Sequence, residues 1–488
     1  MSDRLCDANL GALSPSVIKP KYDRSATRIG IVHFGPGAFH RAHQAFYADQ
    51  MLALDPSLAI SAVSLRSDDL RIALSPQDGL YSLTERQPEV AIRVVGAIKE
   101  VLTAPRQSAK VFARLTDPAV RFLSATVTEK GYCLTPGGDL DTDHPDIRAD
   151  LADLAHPRTL IGWLVEGLRR RRAASAGGLV ALSCDNLSGN GAHWRRAVQQ
   201  FAVASGQGDL ARWIENEVAF PDSMVDAITP ATDDSLRTEA AARLGLSDAG
   251  PVQRERFVQW VIGRDLGRDV DTFAEAGVTV TDDVAGFERA KLRLLNGAHS
   301  TIAYVGLTMA HETVAQAMAD PALGAFVEQL MRRDITASLR SKPGLDLEAY
   351  ISEVLARLRN PAIVHRLSQI ACDGSQKLPL RLLETIAEGL AEGRSIDRLS
   401  MGVAAWMIFV RQQSKKGIRL IDPLAGRLSE IGAGCLGQAA FDVPRFLKLE
   451  AVFSNRLATD PRLRAALEAA YAALDEDPRR AIAAERET

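Results

Sequence analysis

Apolar positions along the chain follow two different patterns. Up to about residue 285, short apolar runs recur between glycine, proline and small polar residues: Arg28–Phe34, Ala59–Leu65, Tyr81–Thr84, Val90–Val95, Val120–Val127 and Leu179–Ser183. Such runs suit strands of a parallel sheet covered on both faces. Helical patterns between several of them predict a doubly wound α/β domain. From Phe287 onward strand signals almost vanish, and apolar residues recur at helical spacing through Thr313–Met318, Leu323–Ser338, Leu347–Leu358, Ile363–Ile370, Leu380–Leu390, Val403–Arg411 and Phe446–Phe453. The resulting expectation is an N-terminal extension over 1–27, an α/β domain over 28–285 and a mostly helical domain over 286–488. Gly131–Pro145 and Asp373–Pro379 read as loops, and the charged tail after Pro478 reads as disordered.

The first run leads into Gly35-Pro36-Gly37 and then into AFHRAHQAFYADQML, a helical pattern. Strand, glycine turn and helix form a dinucleotide-binding arrangement, in which backbone N–H groups approach a pyrophosphate at the helix N-terminus. Phe34, Gly35, Gly37, Ala38 and Phe39 are therefore candidate cofactor residues, although His40 stands where the third glycine usually lies. The second run ends in Arg66-Ser67-Asp68-Asp69. An acid there is placed to accept from a ribose diol and to repel a 2′-phosphate, which favours NAD over NADP. Asp68 and Asp69 are both candidates; Arg66 speaks for the phosphate, and a solvated helix cap is the plainer reading.

The densest candidate chemistry lies in Lys291–Ser300, KLRLLNGAHS. At α-helical winding, Lys291, Asn296 and His299 fall within an arc of about 140° on a segment apolar almost all round. A lysine in a buried helix has its charged form disfavoured, and its pKa moves toward what a general base for an alcohol proton needs. Asn296 and His299 are placed to hold the same oxygen. Against this stand a lysine snorkelling to solvent and a satisfied core histidine. Asn186, at the end of Ser183-Cys184-Asp185-Asn186, is placed to reach a substrate hydroxyl; Asp226, in Met224-Val225-Asp226, and Lys377, in the 373–379 segment, are further candidates. Each is also an ordinary turn, cap or solvated residue.

Composition narrows the classes. The 488 residues, 46% hydrophobic and 24% charged, fit a globular enzyme of more than one domain. A net charge of −3 gives no reason to expect nucleic acid or an anionic membrane as partner. No long apolar span and no secretory leader pattern are visible, so a cytoplasmic location is the default. The five cysteines are scattered, and neither a disulfide framework nor a zinc motif is suggested, so no metal is expected.

Taken together, GPGAFHRAHQA (35–45), TVTEKGYC (126–133), SCDNLSGNG (183–191), FPDSMVDAITP (220–230), FVQWVI (257–262), KLRLLNGAHS and DGSQKLP (373–379) resemble the polyol-specific long-chain dehydrogenases, the mannitol dehydrogenase family, over about residues 28–455. The resemblance implies a Rossmann-type N-terminal domain, a helical C-terminal domain, an active site in the cleft between them, no metal, and commonly a monomer. By motif, Lys291 matches the family's general base, and Asn296 and His299 match its partners. Asn186 matches an oxyanion-stabilising asparagine, Glu288 a proton-relaying carboxylate, and Asp226 and Lys377 substrate-contacting positions. The acid of LRSDD matches the NAD-selecting position. Ala227 departs from the family's usual arginine in MVDR.

The implied reaction interconverts a secondary alcohol and a ketone: D-mannitol and D-fructose, or D-mannonate and D-fructuronate. The wording around Lys291 and Lys377 favours the sugar acids, whereas Ala227 removes a cation that a carboxylate would want and favours a neutral polyol, arabinitol and sorbitol included. A hydroxyacid-type NAD dehydrogenase and a non-catalytic NAD(H) sensor are the alternatives.

Overall fold

Alternate residues of Ile29–Phe34 (β1) point into two different cores, Ile31 into one, Val32 and Phe34 into the other. That is why the run reads as continuously apolar. Ala59–Ser64 (β2) behaves likewise, with Ile60 and Ala62 on one side and Val63 on the other. Tyr81–Arg86 (β3) and Ala91–Val95 (β4) come next, then Ile98–Thr103 (β5), Phe122–Ala125 (β6) and Val180–Ser183 (β7). Ser223–Asp226 (β8), Val252–Glu255 (β9), Gln259–Gly263 (β10) and Thr279–Thr281 (β11) complete the strands.

This is a computed structural model that describes residues 4–87, 89–339 and 345–485, and the chain divides into Met1–Ala285 and Gly286–Thr488. In the first unit β5-β2-β1-β6-β7 form a parallel sheet. Helices Ser108–Thr116, Leu160–Ala173 and Asn190–Ala204 cover one face through Phe112, Trp163 and Trp194. The other face packs against Tyr47 and Met51 of Gln44–Met51 and against Trp260 and Ile262 of β10.

Two strand expectations change. β3 and β4 pair antiparallel, with β9 beside β3, in a sheet of their own. The link between them, residues 87–90, is far too short for the crossover that a parallel pair requires. One edge of the parallel sheet is β5, whose Lys99 and Glu100 break the apolar pattern because an edge strand is half solvated. Residues ahead of β1 are packed down: Leu5, Leu13 and Val17 join Ile92 and Val94 in a small core, and Ile18 exchanges backbone hydrogen bonds with Ile92 and Val94 along the outer edge of β4.

The second unit is helical. Ala298–Thr308, buried through most of its length, packs on Asp397–Lys415, which also supports Pro461–Glu476. The 363–370 expectation shrinks to a helix over Leu367–Ile370, and the helix expected at 446–453 lies earlier, at Ala439–Leu447. The tail expected to be disordered forms a helix, Pro478–Ala484. Asp477 accepts from the Arg479 and Arg480 backbones, Pro478 pre-sets the first turn, and Ala481 and Ile482 are buried. No helix among the described residues is long and apolar enough to cross a membrane.

One buried pair has a pH signature. The rings of His33 and His40 stack at 3.4 Å, and both are fully buried. Burial pushes the His33 pKa down to about 3 and that of His40 down as well. The unfolded chain, titrating near the ordinary 6.5, then binds more protons than the fold between those values, so stability falls as pH drops through that window. Going from pH 6.5 to 5, His33 alone removes about 2 kcal/mol. Thermal unfolding should show this loss, and His40→Phe should flatten the slope; an unchanged slope would show that the pair does not titrate this way.

Candidate active site

The glycine turn leaves β1 against the end of β6. Gly35 has φ +82°, and a Cβ there would sit 2.1 Å from the Thr126 carbonyl oxygen, so the turn closes only with glycine. The helix that follows lasts five residues, Ala38–Ala42, before His43 (φ −121°, ψ −84°) breaks it ahead of Gln44–Met51. The single helix read from the sequence is two, and so short a first helix has little dipole. Attraction for an anion there rests on close backbone approach. His40 replaces the third glycine by lying flat on His33, which achieves close helix–strand packing with a ring.

A cavity of about 1020 Å³ opens over these strand ends, lined among others by Gly35, Gly37, Arg66, Ser67, Asp69 and Thr126. It separates the two acids. The Asp68 carboxylate receives Arg71 Nε and Nη2 at 2.6 and 2.5 Å and the Thr103 hydroxyl, and these bonds hold its pKa well below the usual range. Asp68 is therefore a brace between β2 and β5, and Asp69 is the acid on the cavity. Phe34 also drops out as a side-chain contact, because its ring is core against Trp163; Phe39 stacks on His43. Glycine turn, exposed acid and cavity size together fit an NAD-type dinucleotide.

At the end of β7, Asp185 accepts from the Val127 and Thr128 backbones, both at 2.9 Å, and from the Tyr132 hydroxyl, tying the β6 and β7 exits together. Asn190 is wholly buried and joins β7 to β8: its Nδ2 donates to the carbonyls of Asp185 and Ser223, and its Oδ1 accepts from the Ser223 N–H. Between these braces Asn186 is exposed, and Asp226 is 4% exposed at the last position of β8.

In the second unit, Lys291–Gly297 is π-wound, between Val284–Ala290 and Ala298–Thr308. The α-helical arc expected from the sequence does not hold here. Hydrogen bonding from i to i+5 brings residues five apart, such as Lys291 and Asn296, closer to one face, and such bulges are frequent at functional sites. Lys291, Asn296 and Glu288 are half-buried, and His299 is 7% exposed. The bulge is pinned by Arg293, 3% exposed, whose guanidinium forks onto Glu388 at 2.6 and 2.7 Å.

Against it lies a second π-wound stretch, Pro379–Leu383, continuing Gly374–Leu378. The expected loop at 373–379 is thus helical from Gly374, and the wider π turn accommodates Pro379, which lacks an N–H. Lys377 donates to the Cys372 carbonyl at 2.6 Å, with Asp373 at 3.9 Å, and its side chain stays 26% exposed. Two residues escaped sequence reasoning. Arg381 donates to Ser300 Oγ at 3.1 Å and to the Asn296 carbonyl at 3.5 Å. His365 sets its ring edge-on to His299, with centroids 5.2 Å apart. The position of Arg381, four residues beyond Lys377 in KLPLRLL, was a signal, hidden by the apparent stop at Pro379; nothing local marks His365.

Residues 29–268 match the mannitol dehydrogenase Rossmann domain and residues 283–475 the mannitol dehydrogenase C-terminal domain. A polyol:NADP oxidoreductase of Gluconobacter oxydans is 37% identical over 84% of this chain and 85% of its own length. A D-mannonate oxidoreductase of Escherichia coli is 36% identical over 97% of both. Among solved structures, Pseudomonas fluorescens mannitol 2-dehydrogenase in a ternary complex with NAD and D-mannitol aligns with TM-score 0.82 and 34% identity over 99% of each chain.

The two π-wound stretches meet closely enough that a Cβ on Gly297 would lie 2.9 Å from the Arg381 carbonyl oxygen. Gly297→Ala gains about 1 kcal/mol of helix propensity, while overpacking against backbone costs about 1–3 kcal/mol. Chemical denaturation should show a net loss of up to about 2 kcal/mol; a stabilised variant would show that the contact yields.

Proposed function

The chain belongs to the mannitol dehydrogenase family, and from that membership we propose that it is an NAD-dependent oxidoreductase interconverting a secondary alcohol of a polyol or aldonate with the matching ketose or keto-uronate. The observation that carries this reading is the π-wound segment Lys291–Gly297, which holds an amine and a carboxamide on one bulge, directly ahead of His299.

Gly35, Gly37 and Asp69 would hold the dinucleotide, with the Asp69 carboxylate accepting from the adenosine ribose. Bound NAD supplies the hydride acceptor. The remaining work falls to the chain's own groups. Neutral Lys291 takes the hydroxyl proton, and in reduction its ammonium returns it. Glu288, one turn earlier, passes that proton to solvent. The Asn296 and Asn186 carboxamides donate to the oxygen as negative charge develops on it, where fixed dipoles count most. His299 orients the same oxygen, and Asp226 and Lys377 contact the substrate away from the reacting carbon. A sensor that turned nothing over would have no use for such a base.

Lys291→Ala should bind NADH as the parent does, by fluorescence titration, while turnover falls by about 10²–10⁴-fold, the usual scale for losing a general base. Near-parental turnover would end the assignment. Asp69→Ala should narrow the preference for NADH over NADPH by about tenfold or more, since a ribose hydrogen bond to a charged acceptor contributes about 1.5–3 kcal/mol. Asp68→Ala should instead lower the unfolding midpoint; a preference that shifts with Asp68 and not with Asp69 would reverse the two roles.

A further inference from the structure

Arg381 is a half-buried guanidinium with no carboxylate within 4 Å among the described residues. Several sequestered arginines of this chain are answered: Arg293 by Glu388, Arg398 by Asp334, Arg254 by Glu85, and Arg171 by a ring of backbone carbonyls, whereas Arg41 in the α/β unit has the Gly250 carbonyl and no carboxylate within 4 Å among the described residues. Arg381 spends one nitrogen, Nη1, on Ser300 Oγ and the Asn296 carbonyl. That leaves the Nε–Nη2 edge unengaged among the described residues. It is the edge with which Arg71 grips Asp68 and Arg169 grips Glu166 in this same chain, each as a bidentate fork.

A second cation is close. Lys377 lies four residues earlier on the same helical run, and its nearest carboxylate, that of Asp373, is at 3.9 Å. Burial depresses both pKa values, that of Arg381 to about 10, and the charge on Arg381 depresses Lys377 further. The acids near Lys377 are Asp373, at 3.9 Å, and Asp422, whose carboxylate already accepts from Ser375 and the Leu424 backbone, and two partly desolvated cations so thinly countered are costly unless an anion arrives. The Nη1 bond to the Asn296 carbonyl fixes the guanidinium beside the bulge that carries Lys291 and Asn296, so an anion held there belongs to the molecule presented to Lys291.

We propose that Arg381, seconded by Lys377, receives a carboxylate of the substrate, so that the physiological substrate is a sugar acid, an aldonate and its keto-uronate, in preference to a neutral polyol. This rests on the reading of Lys291 as the base.

The test uses the full chain with NADH and two acceptors, D-fructuronate and D-fructose, for the parent, Arg381→Gln and Arg381→Lys. The parent should favour the keto-uronate in kcat/KM by about 30- to 100-fold, and Arg381→Gln should erase most of that ratio by raising KM for the keto-uronate, the scale of a charged bidentate hydrogen bond. Arg381→Lys, keeping charge without the fork, should restore part of it. A parent that favours fructose overturns the proposal and leaves the oxidoreductase reading standing. So does a ratio unmoved by Arg381→Gln, which would make Arg381 a brace for the bulge. Calorimetry with D-mannonate reads the site without turnover. Binding to the parent and not to Arg381→Gln, even with no NADH consumed on either acceptor, would uphold the anion site while sinking the assigned reaction. No binding to the parent would sink the anion site.

Discussion

The contact on which the candidate chemistry depends is the backbone approach at Gly297, where the Arg381 carbonyl occupies the space that any side chain would need. Both partners are π-wound, so each contributes a turn wider than an α-helix at the place where they touch. Through that contact Arg381 reaches the Asn296 carbonyl, and Arg293 ties the same bulge to Glu388 from its other side. The bulge is therefore clamped from two sides, which is how a flexible lysine is presented from a defined backbone.

A parallel logic holds in the α/β unit. Strand ends are held by buried polar braces, Asp68 between β2 and β5, Asp185 between β6 and β7, and Asn190 between β7 and β8. Beside each brace stands a candidate site residue: Asp69, on the cavity, beside Asp68; Asn186, exposed, beside Asp185; and Asp226 on the strand that Asn190 secures. The pairing of a satisfied acid with an available one explains why the dipeptide Asp68-Asp69 is ambiguous as letters and distinct as structure.

The legible part of the sequence was whatever recurs locally. β1, β2, β6 and β7 were visible because strands covered on both faces leave uninterrupted apolar runs, and the glycine turn was visible because only glycine tolerates its geometry. β5 was missed because an edge strand is half polar, and β3 and β4 were assigned to the wrong sheet because pairing is set by the length of the link between them. In the helical unit Lys291, Asn296 and His299 stood out as polar residues in an apolar segment, but the bulge that rearranges them has no local signature. Pro379 looked like a stop and is accommodated by one. Arg381 and His365 gain meaning only from what packs beside them, which a linear reading does not contain.

The backbone pairing of Ile18 with Ile92 and Val94 has a wider consequence. β4 would otherwise offer a row of open donors and acceptors, the template on which a stranger's strand can zip up. A segment from far upstream lies there as a selvedge. Polypeptide emerging from the ribosome thus carries its own hem, idle until the cloth it must finish has been woven.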